Sequence, residues 1–147
     1  MNTHIIYSTK ANHGQRLAQK IGTALNIPFS PVSERPTLNN IDILFIIGGI
    51  YSGNTLPELL PYIKSLTADS VKRAALITCP SGFYDVRLPE SRQLLTHKLL
   101  VEKNIEVIGE HFCPCGLIPL PFGQPSSKEI ERTMKFFKQT LGLSIYD

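Results

Sequence analysis

Ser8-Thr9-Lys10-Ala11-Asn12-His13-Gly14 is the stretch best equipped for ligand chemistry. It carries two hydroxyls, an amide, an amine and a glycine. It lies between the apolar run Ile5-Ile6-Tyr7 and the apolar residues Leu17, Ala18, Ile21 and Leu25, which recur at helical spacing. That pattern reads as strand, loop, helix. A strand entering a parallel sheet delivers its loop to the carboxyl edge, where open α/β sheets bind ligands. The following helix turns its free N–H groups and positive dipole end toward the loop, which suits a phosphate. The same residue types also populate any polar turn, so from the loop alone an ordinary solvated βα turn is as good a reading as a phosphate site.

Two further segments could contribute. Ile50-Tyr51-Ser52-Gly53-Asn54 and Pro80-Ser81-Gly82-Phe83-Tyr84 each combine aromatic rings with a glycine. On their own, the rings of Tyr51, Phe83 and Tyr84 could simply pack the two loops onto the sheet. His111, Cys113 and Cys115 alternate and could share one face of an extended segment. Structural zinc normally draws on two well-separated pairs, so this spacing predicts inert thiols and no metal. His4 and His97 carry no partner pattern. No side chain stands out as a catalytic acid, base or nucleophile.

The elements that must position these loops follow from periodicity. A short strand with Pro28 and Pro31, within Ile27 to Val32, belongs at a sheet edge. Ile41 to Ile47 is apolar almost throughout, as expected of a parallel strand covered on both faces. Thr55 and Glu58 form a capping-box pair before Leu59, Leu60, Ile63 and Leu66, with Pro61 marking either a kink or the first helical turn. Lys72 to Cys79 reads as a strand, Pro89 to Lys103 as a helix and Ile105 to Phe112 as the last strand. After the Pro-rich segment from Cys113 to Pro125, Ser126 and Glu129 cap a helix whose Ile130, Met134, Phe137 and Leu141 share one face. Regular alternation predicts one α/β domain over residues 1–147: three layers, with a five-stranded parallel sheet in the order 2-1-3-4-5. The three loops then converge near the strand 1/strand 3 switch point.

Composition narrows the classes. No apolar run is long enough for a membrane helix, and the start of the chain lacks a signal-peptide pattern, so a cytoplasmic location without membrane insertion is the expectation. Three cysteines imply no disulfide framework. A net charge of +3 with scattered Lys and Arg does not predict nucleic-acid binding. The G-x-G-x-x-G and G-x-x-x-x-G-K-[ST] loops are absent, which removes dinucleotide and P-loop nucleotide binding. A response-regulator receiver of the same topology needs acids after strand 1 and an aspartate ending strand 3. This chain has Ser8-Thr9 and Gly48-Gly49 there.

Taken in order, these motifs resemble the flavodoxin family, and specifically its short-chain members from anaerobic bacteria. Ile5-Ile6-Tyr7-x-Thr9 with Ala18 and Ile21 resembles the family signature. Ile41-Asp42 through Gly48-Gly49-Ile50-Tyr51-Ser52-Gly53 is similar to its third strand and first flavin loop, and Thr78-Cys79-Pro80-Ser81-Gly82 to its second. Gly109-Glu110-His111-Phe112-Cys113, Gly116 and Gly123-Gln124-Pro125 extend the likeness over nearly the whole chain. The resemblance implies a flavodoxin-like fold, FMN as cofactor and electron transfer to a redox partner protein, by a monomer or weak dimer. It implies cofactor contacts from Ser8, Thr9, Lys10, Ala11, Asn12, His13 and Gly14 to the phosphate. On the same resemblance Ile50 to Asn54 and Pro80 to Tyr84 would contact the isoalloxazine ring, with Tyr51, Phe83 and Tyr84 stacking on it and Gly53 and Gly82 letting backbone approach it. The chain departs from the family in lacking the usual further hydroxyls, having Ala11, Asn12 and Gly14 where the phosphate loop commonly carries Thr and Gly. On that departure Gly14→Thr is expected to restore a hydroxyl bond. An oxidoreductase of the protoporphyrinogen oxidase type, or a binding module of the same fold without FMN, are the alternatives that the resemblance leaves open.

Overall fold

The computed structural model describes residues 1–8, 12–48, 50–51, 54–55, 59–78, 94–113 and 127–143. The polar-to-apolar alternation resolves into strands β1 (Thr3–Tyr7), β2 (Phe29–Pro31), β3 (Ile41–Gly48), β4 (Ile50–Tyr51), β5 (Asn54–Thr55), β6 (Val71–Thr78) and β7 (Glu106–Phe112). The helices are α1 (Asn12–Leu25), α2 (Leu59–Ser65), α3 (Leu94–Glu102) and α4 (Ser127–Leu141), with a short 3-10 turn at Val32–Glu34. Five strands form one parallel sheet in the order β2-β1-β3-β6-β7. Counting sheet strands alone, this is the expected 2-1-3-4-5. Pro28 and Pro31 lack the N–H that a ladder needs, and β2 is three residues long and at the edge, as its sequence predicts.

Helices cover both faces. Leu17, Ala18 and Ile21 of α1 and Phe137 of α4 pack with Ile5, Ile43, Phe45, Ile47 and Ile77 on one side. Leu59, Tyr62 and Ile63 of α2 and Leu100 of α3 pack with Ile6, Leu44, Ile46 and Leu76 on the other. The central strand β3 has all residues from Ile43 to Ile47 fully buried. A strand apolar on both faces can only be satisfied between two helical layers, which is why its continuous run reads as parallel. Ile130, Met134 and Leu141 join Phe137 on the inward stripe of α4, as their spacing predicts. Pro61 falls in the first turn of α2 as described, where no intrahelical donor is lost.

Three helices end the same way. Asn26 (φ 56°), Asn104 (φ 61°) and Gly142 (φ 73°) adopt the left-handed conformation just after α1, α3 and α4. In each case the following amide reaches back five residues: Ile27 N to Gly22 O at 2.8 Å, Ile105 N to Leu100 O at 2.9 Å and Leu143 N to Lys138 O at 2.8 Å. These are Schellman closures, which satisfy the last carbonyls and redirect the chain. Ile27 and Ile105 are then buried in the core, so each cap also anchors the next connection.

Two sequence expectations change. The segment Ile50 to Asn54 reads as a loop, yet Ile50 pairs with Thr55 and Tyr51 with Asn54 in a small antiparallel hairpin. Thr55 is therefore a strand residue, and its expected capping partner Glu58 lies outside the described residues, as does Ser126. Among the described residues no helix is long and apolar enough to cross a membrane.

Candidate functional site

The site is framed by how the parallel strands end. Tyr7 is level with Ile47, Ile47 with Ile77, and Ile77 with His111. One residue further, the Ser8 amide donates to the Ile47 carbonyl at 3.0 Å and the Cys113 amide to the Thr78 carbonyl at 2.9 Å. The carboxyl edge is thus closed by backbone bonds through Ser8, Gly48, Thr78 and Cys113. β2 and β3 lie on opposite sides of β1, so the topological switch falls between β1 and β3.

α1 starts over that switch. Its first turn, Asn12-His13-Gly14, carries free N–H groups, the positive end of a 14-residue helix and no acidic residue. Gly14 is buried, and a β-carbon there would stand 3.3 Å from Ile47 Cγ2 and 3.5 Å from the Ser8 carbonyl oxygen. The bare Cα lets the helix start press directly on the ends of β1 and β3. Ser8 is itself buried at the end of β1. The contact bears on the expectation for Gly14→Thr: a β-carbon there already meets the Ile47 methyl closely, so a longer side chain is accommodated only if Ile47 or the helix start shifts.

Of the predicted site residues, the fold brings Ser8 and Gly14 together at the switch point, with the backbone of Asn12 and His13 beside them. Ile50, Tyr51 and Asn54 lie in the hairpin that leaves β3 from the same edge, where only their backbone is described. Thr9, Lys10, Ala11, Ser52, Gly53, Pro80, Ser81, Gly82, Phe83 and Tyr84 lie outside the described residues, as do Cys79 and Cys115.

His111 and Cys113 share the α4 face of β7, as alternation predicts. Cys113 is buried in the core cluster with Phe137. The His111 ring stacks on Phe136 at 5.2 Å and 22°. Its Nε2 stands 3.2 Å from Thr133 Oγ1, whose own proton is donated to the Glu129 carbonyl at 2.9 Å. The hydroxyl can therefore only accept, and Nε2 carries the hydrogen of the neutral ring. Sequence reasoning did not find Thr133 as this partner. Its only sequence signal is a hydroxyl set among the inward residues of α4. His4 has a partner too, with Nε2 3.0 Å from Ser30 Oγ on β2. His97 on α3 lies 3.8 Å from a Glu110 carboxylate oxygen.

Burial holds both imidazoles, His4 and His111, below their ordinary value of 6.5; at His111 the nearby Arg132 adds to this and Cys113 opposes it. As the pH falls, the unfolded chain takes up these protons before the folded one. Stability from this source is present above about pH 6.5 and lost below it, with a slope of at most about 1.4 kcal/mol per pH unit for each proton. Urea midpoints measured on either side of that pH should fall on the acid side. In a His4→Gln/His111→Gln double variant the acid-side fall should shrink; an unchanged fall would assign it to other groups.

A cavity of about 310 Å³ lies elsewhere, between the α2–β6 turn and the segment before β3, lined by Arg35, Tyr62, Ser65, Thr67 and Ser70 among others. Several of its hydroxyls are already engaged by nearby backbone. Tyr62 donates to the Pro36 carbonyl at 2.7 Å, and burial pushes its hydroxyl up to about 12. Ser65 and Ser70 donate to the Tyr62 and Thr67 carbonyls. The cavity opens toward the amino edge, at the far end of the sheet from the switch point.

The comparisons with known proteins agree with the topology. No protein-family profile matches the chain, and no curated protein matches it by sequence. Solved structures do match over nearly its whole length. Oxidised flavodoxin 1 from Bacillus cereus superimposes with a TM-score of 0.68 at 14% identity, covering 98% of this chain and 100% of that one. The chain has the flavodoxin fold. A flavodoxin from Streptococcus pneumoniae gives a TM-score of 0.66 at 13% identity, covering 97% and 99% of the two chains. A short-chain flavodoxin associated with a PDU bacterial microcompartment gives 0.63 at 17% identity, covering 97% and 98%. In this fold the first turn of α1 stands over the β1/β3 switch point, where open α/β sheets in general bind ligands.

Proposed function

We propose that the chain is an FMN-binding electron-transfer protein. The observation that carries the reading is the start of α1, pressed by the bare Cα of Gly14 onto the β1/β3 switch point beside the buried Ser8. A helix N-terminus there with no acidic residue in its first turn fits a phosphate monoester: the N–H groups of the first turn can donate to its oxygens without needing side-chain hydroxyls. That offsets the hydroxyls missing from the Thr9 to Gly14 segment. On the sequence resemblance, Thr9 is the residue that would supply the remaining hydroxyl, and Ile50 to Asn54 and Pro80 to Tyr84 the segments that would contact the ring. Bound there, FMN supplies the redox chemistry, and the chain holds it, orients it and excludes water.

The test is a visible spectrum of the purified protein and an FMN titration of the apoprotein. The expected result is a flavin spectrum and saturable binding. Thr9→Ala should weaken binding about tenfold, because a hydrogen bond to a charged phosphate contributes about 1.5–3 kcal/mol. A colourless protein that does not bind added FMN would refute the reading.

A further inference from the structure

We propose that the outer face formed by α1 and α4 is the docking surface for a protein partner with an acidic surface. The inference rests on the electron-transfer reading for the kind of partner, and on the distribution of charge for the place. α1 and α4 pack side by side on one face of the sheet. Arg16 and Lys20 stand one turn apart on the exposed side of α1, and Lys128, Arg132 and Lys135 recur at i, i+4 and i+7 along the exposed side of α4. Among the exposed residues of the two helices the opposing charge is the single carboxylate of Glu131. The half-buried Glu129 and Lys138 offset one another in charge. No Asp or Glu precedes Glu34 in the chain, so nothing from β1 or the α1 connections supplies a counter-charge. Glu106, the exposed acid at the start of β7, lies at the opposite, amino edge.

The other helical face is different. On α2 and α3 the exposed charges among the described residues are Lys64 and Lys98 against Glu102. Among the described helices the positive charge is therefore gathered on one side. Five cations on one helical face repel one another, and a complementary carboxylate surface relieves that repulsion and steers encounter. The helices run against the strands, so both N-termini point to the carboxyl edge and the basic face borders the proposed cofactor position. A transient redox complex needs only a small, polar, charge-matched contact of this kind. Among the described residues the exposed large apolar ones are Met1, Val101 and Leu143, none of them on the outward side of α1 or α4, so the face lacks an anchor for a lipid surface. Among the described side chains the exposed uncharged ones on the two helices are Gln15, Gln19, Thr23, Ala24, Ser127 and Gln139, with no ring among them to stack a base.

The experiment uses an acidic plant-type ferredoxin as probe, added to the isotopically labelled full chain at low salt, with amide shifts mapping the contact. Shifts should concentrate on residues 12–25 and 127–141 and fade with added salt. The Arg16→Glu/Lys20→Glu/Arg132→Glu/Lys135→Glu variant should bind at least about tenfold more weakly, while Lys64→Glu/Lys98→Glu stays within about twofold. If the first variant unfolds, the same positions changed to Gln carry the comparison. Failure to bind, shifts on α2 and α3, or equal loss in both variants would overturn the proposal. So would tighter binding, at equal salt, to duplex DNA or to phosphatidylserine vesicles. Binding is read whatever the flavin content, so a protein that lacks FMN would refute the redox reading without altering where the probe docks.

Discussion

Phe137→Ala is expected to remove about 3–5 kcal/mol of stability, the usual cost of deleting a fully buried ring. Phe137 is the point at which the closing helix grips the sheet. It is fully buried, and its ring stacks on Phe45 of the central strand with centroids 4.0 Å apart and planes at 15°. Phe136 meets its edge at 6.4 Å and 85°. Alanine would leave a cavity between α4 and β3 in a region where neither element can collapse. β3 is held on both sides by β1 and β6, and α4 is seated by Ile130, Met134 and Leu141 on the same cluster. For a domain whose whole stability is typically about 5–15 kcal/mol, the variant should be marginal. The urea midpoint should drop sharply with the slope unchanged. Phe136→Ala, at a half-buried ring, should cost clearly less. Equal midpoints for the two variants would show that the Phe45–Phe137 stack is not the seat of α4.

Gly14→Thr is expected to weaken FMN binding at least about tenfold and to destabilise the fold by about 1–3 kcal/mol, the range for overpacking a closed contact. The β-carbon alone would stand 3.3 Å from Ile47 Cγ2, and threonine adds two more heavy atoms. Ile47 is fully buried among core side chains, so its methyl gives way only at the expense of its neighbours. To the extent that it does not, the first turn of α1 lifts, and with it the N–H groups that would meet the phosphate. Gly14→Ala separates the effects: it carries the β-carbon without branches and should lose less of both. FMN titrations with urea unfolding of each variant provide the check. A Gly14→Thr protein that binds FMN as tightly as the parent would mean that the phosphate does not sit on this helix start.

Much of the fold was legible because it is encoded locally. The continuous apolar run of Ile41 to Ile47 demands cover on both faces wherever it is placed, and the spacing of Ile130, Met134, Phe137 and Leu141 makes one inward stripe in any helical context. Alternation of such segments leaves few topologies for a parallel sheet, and the switch point follows from the order. The Asn26 and Asn104 caps were also written in the chain, as a residue tolerant of positive φ just after the last apolar turn, but hydrophobic periodicity does not register them.

Other features belong to the tertiary structure. Ile50 to Asn54 carries turn residues, and only its cross-strand bonds make it a hairpin. β7 has an extra residue against β6, because Ala74 pairs with Val107 and Ala75 with Gly109. Ile108 therefore packs with the α1–α4 cluster while its neighbour Val107 packs with the other. Period-two reading of β7 misplaces one face at that point, since a bulge is decided by the partner strand. The Thr133 bond that fixes the His111 tautomer joins residues 22 apart in sequence. Gly14 is the clearest case. By residue type it is a missing hydroxyl, and by position it is the contact that sets α1 on the sheet. Sequence determines the long apolar strands, the amphipathic helices and the charged faces, since those depend on neighbours a few residues away. What fills the space beside a given Cα depends on chain remote in sequence, and only the packed structure decides it.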